Sequence, residues 1–153
     1  MLKKVAVTAA AVALVMSPLA ANAAAAPLPC AGGYSCDNTD PGPVSWEKTQ
    51  TDAHATDRGC GEVELRSGKK NGRWYAWARV KVASMCGTYE GWIDRSYDGG
   101  EHMEHVLGYF TAADFQGSDF GNMYYWPDGA WIRAGFKRPG EDWSKSGLTE
   151  WRR

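Results

Sequence analysis

The chain lacks a strong excess of either charge. Its 153 residues carry 17 Lys and Arg against 18 Asp and Glu, a formal net charge of −1. A protein that binds nucleic acid needs a net basic face for the phosphates, and attachment to an anionic membrane needs a cluster of basic residues. We therefore expect neither nucleic acid nor a membrane surface as a partner.

Long apolar runs are also missing, except at the N-terminus, where Val5–Met16 is apolar and uncharged. Lys3-Lys4 precedes this run, Ser17-Pro18 ends it, and Ala21-Asn22-Ala23 supplies a small-x-small cleavage pattern. The run is shorter than a membrane-spanning helix requires. The pattern predicts that residues 1–26 are a secretion signal peptide and that the mature protein, slightly acidic and about 130 residues long, is extracellular.

Recognisable catalytic motifs are absent as well. No serine lies in a G-x-S-x-G turn, no glycine-rich loop could hold a phosphate, and no two carboxylates are marked as the pair that glycoside hydrolysis needs. The densest cluster of ligand types, Glu101-His102-Met103-Glu104-His105, does not match the H-E-x-x-H zinc motif. On a strand its two histidines would face opposite sides. We assign no catalytic residue, no metal ligand and no cofactor, and we favour a non-enzymatic role.

The clearest local structure is a hairpin. Glu62–Arg66 and Trp74–Val82 both alternate between polar and apolar residues, and Asn71-Gly72 between them is a strong hairpin-turn signal. A two-residue turn there places apolar residues opposite one another on one face and oppositely charged residues on the other. The predicted pairs are Val63 with Val80, Leu65 with Ala78, Ser67 with Ala76, Glu62 with Lys81, Glu64 with Arg79, and Arg66 with Trp77. A slip of one residue would mix the two faces.

Further strands follow this hairpin. Gly91–Tyr97 and Val106–Phe110 have strand-like composition, and Pro127-Asp128-Gly129 between Asn122–Trp126 and Ala130–Lys137 predicts a second hairpin. In its second strand Ala130, Ile132, Ala134 and Phe136 would point inward, and Trp131, Arg133 and Lys137 outward.

The four cysteines of an exported chain predict two disulfides, for which three connectivities exist. In the hairpin register Cys60 lies opposite Ala83, three residues before Cys86, so we favour Cys60–Cys86 and Cys30–Cys36. A zinc site is disfavoured because no two cysteines have the C-x-x-C spacing.

These elements together predict the fold class: one small all-β antiparallel domain, a sandwich or barrel-like, with an irregular N-terminal arm that disulfides hold in place. We expect the arm at 27–61, the β core at 62–137 and a polar C-terminal tail at 138–153. The arm is rich in Pro, Gly, Asp and Thr. Val44–Ala55 within it fits either a short strand or a helical turn.

Short motifs in the first half of the mature chain resemble a family. Cys36-Asp37-Asn38-Thr39-Asp40-Pro41, Gly59-Cys60, Val63-Glu64-Leu65-Arg66 and Trp77-Ala78-Arg79 are similar to the C…C-x-x-x-D-P…G-C…V-E-L-R…W-A-R pattern of small secreted disulfide-containing domains from Gram-positive, actinobacterial-type bacteria. The resemblance covers about residues 30–82 and implies a secreted β domain, without an assigned activity. In that family the fourth cysteine precedes W-A-R, whereas here it is Cys86, so the resemblance does not determine the disulfide pairing.

The outward residues of the two hairpins suggest a function. Aromatic and arginine side chains are enriched where proteins bind their partners, and the candidate binding face consists of Tyr75, Trp77, Arg79, Trp131 and Arg133. We expect a non-catalytic extracellular binding module for a cell-wall glycan or a surface protein. One alternative is an inhibitor of a secreted protease or other hydrolase, which would use the Gly68–Gly72 or Asp37–Pro43 loop. The other is a small secreted hydrolase that uses the Glu101–His105 cluster or a carboxylate pair.

Overall fold

The computed structural model describes residues 28–57, 59–113 and 118–153. The predicted signal peptide at 1–26 lies outside these residues. The described chain forms β-strands and two short 3₁₀ turns, Gly33–Cys36 and Trp143–Lys145, and it contains no α-helix. The strands are β1 (Lys48–Asp57), β2 (Gly61–Lys70), β3 (Arg73–Val82), β4 (Thr88–Ser96), β5 (Met103–Ala113), β6 (Ser118–Phe120), β7 (Tyr124–Trp126), β8 (Trp131–Lys137) and β9 (Gly147–Leu148). None of the helical segments in the described residues could span a lipid bilayer.

The first sheet is built around the predicted hairpin. Asn71 and Gly72 both have positive φ, 52° and 73°, as the two central residues of a type I′ turn require. The register of β2 with β3 is the predicted one throughout, with Val63 opposite Val80 and Glu64 opposite Arg79. β1 pairs with the free side of β2, and β6 and β7 share the far edge of β3. The ambiguous segment before Cys60 therefore contributes a strand, β1, rather than a helical turn.

The second sheet has the order β5-β4-β8-β9, and it corrects the prediction of a second hairpin. The turn at Pro127–Gly129 exists, with the amide of Ala130 donating to the carbonyl of Pro127 over 3.1 Å. However, β7 pairs with β3 in the first sheet, whereas β8 pairs with β4 in the second. The prediction was wrong because turn residues reverse the chain without determining which strands then share hydrogen bonds.

The two antiparallel sheets pack face to face as a sandwich, which confirms the predicted all-β class. Val63, Leu65 and Val80 from the first sheet are fully buried against Ile132 and Phe136 from the second. Ala134 in β8 and Ala130 just before it are buried as well, so the four residues that were predicted to point inward here do so. The core thus forms from the two strand alternations that the sequence displays.

Both predicted disulfides are present. Cys30 is bonded to Cys36 across six residues, and Cys60 to Cys86 across 26, with Cα–Cα distances of 5.2 and 5.4 Å. The carbonyl of Cys60 also accepts a hydrogen bond from the amide of Ala83 over 2.8 Å. The hairpin register therefore continues to the second disulfide.

The N-terminal arm packs on the outer face of the first sheet. Trp46 stacks on Trp77 with ring centroids 5.3 Å apart, and the Tyr75 hydroxyl accepts a hydrogen bond from the amide of Gly33 over 3.0 Å. Tyr75 is fully buried and Trp77 is 7% exposed. The expectation that these two side chains lie on an open face was wrong, because the arm covers the face to which they point.

Candidate ligand-binding site

The outer face of the second sheet holds a cavity of about 360 Å³. Trp92 and Asp94 are two residues apart in β4, so both point to this face, and Arg133 projects beside them from the neighbouring β8. The wall is completed by β5 and by the C-terminal segment. The lining residues are Trp92, Asp94, His105, Val106, Arg133, Trp143, Ser146 and Leu148.

Two indole rings form the apolar walls of this cavity. The rings of Trp92 and Trp143 meet edge to face, with centroids 5.0 Å apart. Trp92 is 2% exposed and lies against Gly135, where an added Cβ would come within 2.5 Å of the ring. Trp143 is 55% exposed, so one indole is a fixed floor and the other offers a surface open to a ligand.

A buried carboxylate lies beside the indoles. Asp94 is 2% exposed; its Oδ2 accepts from Nε of Arg133 over 2.9 Å, and its Oδ1 accepts from the amide of Val106 over 3.1 Å. Nδ1 of His105 is 3.7 Å from Oδ1. A buried charge is tolerated when it is paired and hydrogen-bonded in this way, and the two directed donors fix the carboxylate in one orientation.

The backbone that holds Asp94 is strained. Val106 has a φ of +56°, a left-handed conformation that is a genuine outlier for a β-branched residue. β4 and β5 also change register twice near this point, between Gly91 and Ile93 and between Ile93 and Arg95. Strained residues and strand bulges concentrate at functional sites. The conformation of Val106 turns its amide towards Asp94, at the cost of local backbone energy.

The cavity wall contains an unsatisfied hydroxyl. Oγ of Ser146 is buried and has no hydrogen-bond partner among the described residues. Buried polar atoms are almost always paired in folded proteins, and an exception calls for a water molecule or a ligand group.

The sequence-predicted binding residues fall on two separate surfaces. Arg133 lies in the cavity, and Trp131 is half-buried two residues before it on the same face of β8. Tyr75, Trp77 and Arg79 lie on the outer face of the other sheet. Arg79 donates from Nε to Oε2 of Glu64 over 2.8 Å, so it serves an ion pair there.

Sequence reasoning assigned Trp92, Asp94, Trp143 and Ser146 to no site, and it considered His105 only within the Glu101–His105 cluster. The alternation in Gly91–Tyr97 was a usable signal, because it places Trp92 and Asp94 on one face and apolar Ile93 on the other. Trp143 and Ser146 carried no such signal, since they belong to a polar segment without periodicity.

The Glu101–His105 cluster is divided in the structure. Asp98, Glu101 and His102 lie close enough together to share a metal ion, but all three are exposed. His102 donates from its amide to Asp98 over 2.9 Å, and this bond, with those from Ser96 and the His102 ring, holds the pKa of Asp98 below its usual range. Glu104 pairs instead with Arg95, and His105 with Asp94.

The cavity lining contains one carboxylate, one imidazole and one serine hydroxyl. Asp94 is the one carboxylate among its lining residues, whereas glycoside hydrolysis requires two opposed carboxyl groups. Ser146, His105 and Asp94 are the residue types of a hydrolytic triad, but Oγ of Ser146 makes no hydrogen bond within the described chain. Without a base in contact, a serine hydroxyl is a weak nucleophile.

No protein-family model, curated protein or solved structure matches this chain. The resemblance to the secreted Gram-positive family stays a prediction. The two disulfides fit a small disulfide-containing domain of an oxidising, extracellular environment.

Proposed function

We propose that the protein is a secreted, non-catalytic binding module whose ligand is a cell-wall glycan, held in the cavity that Trp92 and Trp143 line. The observation that carries the proposal is the carboxylate of Asp94, buried and oriented by Arg133 beside two indole rings.

A sugar ring can use both the aromatic and the polar groups of this cavity. Its C–H faces are apolar and stack on an aromatic ring such as the exposed indole of Trp143. Its hydroxyl groups are donors and acceptors, and charged partners such as the Asp94–Arg133 pair make stronger hydrogen bonds than neutral groups do. The formal charges of Asp94 and Arg133 cancel, which favours a neutral ligand.

A glycan suits the cavity better than a surface protein does. Protein interfaces are broad and place anchor residues at the centre of an extended patch. Here the aromatic and polar groups converge in a concavity of about 360 Å³, which is the size and composition of a small-ligand site.

Secretion is part of the proposal, and the N-terminal pattern and the two disulfides support it. Mass spectrometry of the exported protein should show the loss of the first 23 to 26 residues. An intact N-terminus on protein recovered from the medium would contradict this part.

Retention of the oxidised protein on insoluble peptidoglycan, chitin, cellulose and xylan tests the ligand class. We expect retention on at least one polymer, and about a tenfold weaker affinity for Trp143→Ala, equivalent to about 1.4 kcal/mol. Tyr34→Ala is the matched control, because Tyr34 is 54% exposed and lies outside the cavity. Retention on none of the four polymers, or equal retention of Trp143→Ala and the wild type, would refute the proposal.

A further inference from the structure

A second cavity, of about 340 Å³, lies at the end of the sandwich where β1, β3 and β7 meet the turn before β8. Trp74 and Trp126 are cross-strand neighbours there, and the 127–129 turn and Arg153 close the opposite side. Its lining residues are Gln50, Asp52, Trp74, Trp126, Pro127, Asp128, Gly129 and Arg153.

The chemistry of this second cavity repeats that of the first. Oδ1 of Asp52 accepts from Nε2 of Gln50 over 2.6 Å. Oδ2 of the same carboxylate is buried and has no hydrogen-bond partner in the part of the chain that the structure describes. Two indoles and an arginine line the same cavity. An acceptor of this kind next to aromatic rings calls for a donor group from a ligand or from water.

A ladder of tryptophan and arginine joins the two cavities. Ile132 and Arg152 form an antiparallel bridge. On each side of the bridge, an arginine of one segment stacks on the tryptophan opposite it in the other segment. The guanidinium of Arg133 lies 4.5 Å from the ring centroid of Trp151, and that of Arg153 lies 5.7 Å from the ring centroid of Trp131.

The ladder places the rims of the cavities close together. Arg133 borders the first cavity and Arg153 the second. Arg153 lies opposite Trp131, which is two residues from Arg133 along β8. At the usual rise of a β-strand this separation is about 7 Å. Trp131 and Trp151 are only partly buried, so the strip between the cavities presents aromatic and guanidinium groups to solvent.

From this arrangement we infer that the ligand is a polymer which binds across both cavities and over the ladder, and that a single sugar unit occupies only one part of the site. This inference rests on the proposed function. Linked units that bind neighbouring sites gain affinity because the second contact becomes intramolecular. Affinity for the glycan therefore increases with chain length until the chain spans both cavities.

The ladder also secures the C-terminal segment to β8, so a loss of stability in its variants would not by itself support the inference. The dependence of affinity on ligand length separates the two roles. If the ladder has only a structural role, substitutions in it should alter the affinity for short and long fragments by the same factor.

The test measures affinity by calorimetry for fragments of two to eight sugar units, prepared from the polymer that retains the wild-type protein. We expect an increase of at least about tenfold from the shortest fragment to the longest. Arg153→Ala should weaken binding of the longest fragments much more than binding of the disaccharide, and so remove most of that increase. Trp143→Ala should weaken binding at every length.

Arg152→Ala is the matched control, because Arg152 is the adjacent arginine but faces away from the ladder and pairs with Glu150 at 3.3 Å. It should retain the full length dependence. Equal affinity of the wild type for all lengths, or an unchanged length dependence in Arg153→Ala, would overturn the inference and leave the glycan proposal intact. Retention on no polymer would instead refute the proposed function itself, together with this inference.

Discussion

Nε of Arg133 donates to Oδ2 of Asp94 over 2.9 Å, and this ion pair joins two neighbouring strands on the floor of the first cavity. The side chain of Asp94 is 2% exposed and that of Arg133 is 18% exposed. The pair is therefore both a structural link between β4 and β8 and the polar centre of the proposed ligand site.

Removal of one partner should be much more damaging than removal of both. Arg133→Ala leaves a buried carboxylate without its cation, and we expect a loss of about 3 kcal/mol in the free energy of unfolding. The double variant Asp94→Leu/Arg133→Leu should recover most of that loss, because apolar residues of similar volume avoid the desolvation of charge. Urea unfolding of the three proteins measures this, and a double variant less stable than Arg133→Ala would contradict the expectation.

The strained backbone at Val106 predicts that a glycine there is more stable than an alanine, the reverse of the usual order in a strand. At a positive φ only glycine avoids the clash of its own Cβ, so Val106→Gly should be more stable than Val106→Ala by about 1 kcal/mol. Thr111 is an exposed residue of the same strand and is not among those with positive φ. There the usual order should hold, with Thr111→Gly less stable than Thr111→Ala. Thermal unfolding of the four variants measures this. If alanine is more stable than glycine at both positions, the backbone at Val106 is not strained.

The two disulfides should contribute unequally to stability. In the loop-entropy description, a cross-link restrains the unfolded chain more when it closes a longer loop. The bond across 26 residues should then contribute about 3.5 kcal/mol and the bond across six residues about 2 kcal/mol. Chemical unfolding of Cys60→Ala/Cys86→Ala and Cys30→Ala/Cys36→Ala compares them. A greater loss in the second double variant would show that packing of the arm outweighs loop closure.

Stability should decrease in acid through Glu64. Burial opposes ionisation of Glu64, but hydrogen bonds from Lys81 and Arg79 and their charges outweigh it and hold its pKa below the ordinary value of 4.5. A carboxylate with a lowered pKa stabilises the fold above its unfolded-state pKa, and this stability is lost as pH falls through the folded-state pKa.

The variant Glu64→Gln isolates this effect. The difference in unfolding free energy between wild type and variant should be constant above about pH 5 and should shrink as pH falls below 4.5. Urea unfolding from pH 2 to pH 7 measures it. A difference that is independent of pH over this range would show that Glu64 stabilises the fold by packing rather than by charge.

Because Gly135 lies in close contact with Trp92, a substitution at Gly135 should reduce both stability and ligand binding. Gly135→Ala would force the Trp92 ring away from β8, since the added Cβ would lie 2.5 Å from it. We expect a loss of about 1–3 kcal/mol in stability, as for other overpacked sites, and weaker retention on the glycan. Gly140→Ala is the control, because a Cβ there contacts nothing within 4 Å. Since Gly140 has a positive φ, this control should lose about 1 kcal/mol of stability but no affinity.

Sequence reasoning succeeded where structure depends on local pattern. The alternation on either side of Asn71-Gly72 determined the register of β2 and β3, and this register led to the Cys60–Cys86 pairing. Reasoning failed at Pro127–Gly129, where the same kind of turn carries the chain between sheets. It also failed for Tyr75 and Trp77, because no pattern in the arm indicates which surface it covers.

The sequence by itself determined the strand faces, the tight turn and the cross-links, because these follow from side-chain alternation and the conformational freedom of a few residues. Only the tertiary structure decided that Asp94 meets Arg133 and that Trp92 meets Trp143. These contacts join β4 to β8, and β4 to the C-terminal segment, over 39 and 51 positions of the chain. Such pairings depend on how whole sheets pack, a balance of burial against chain entropy that no short segment encodes.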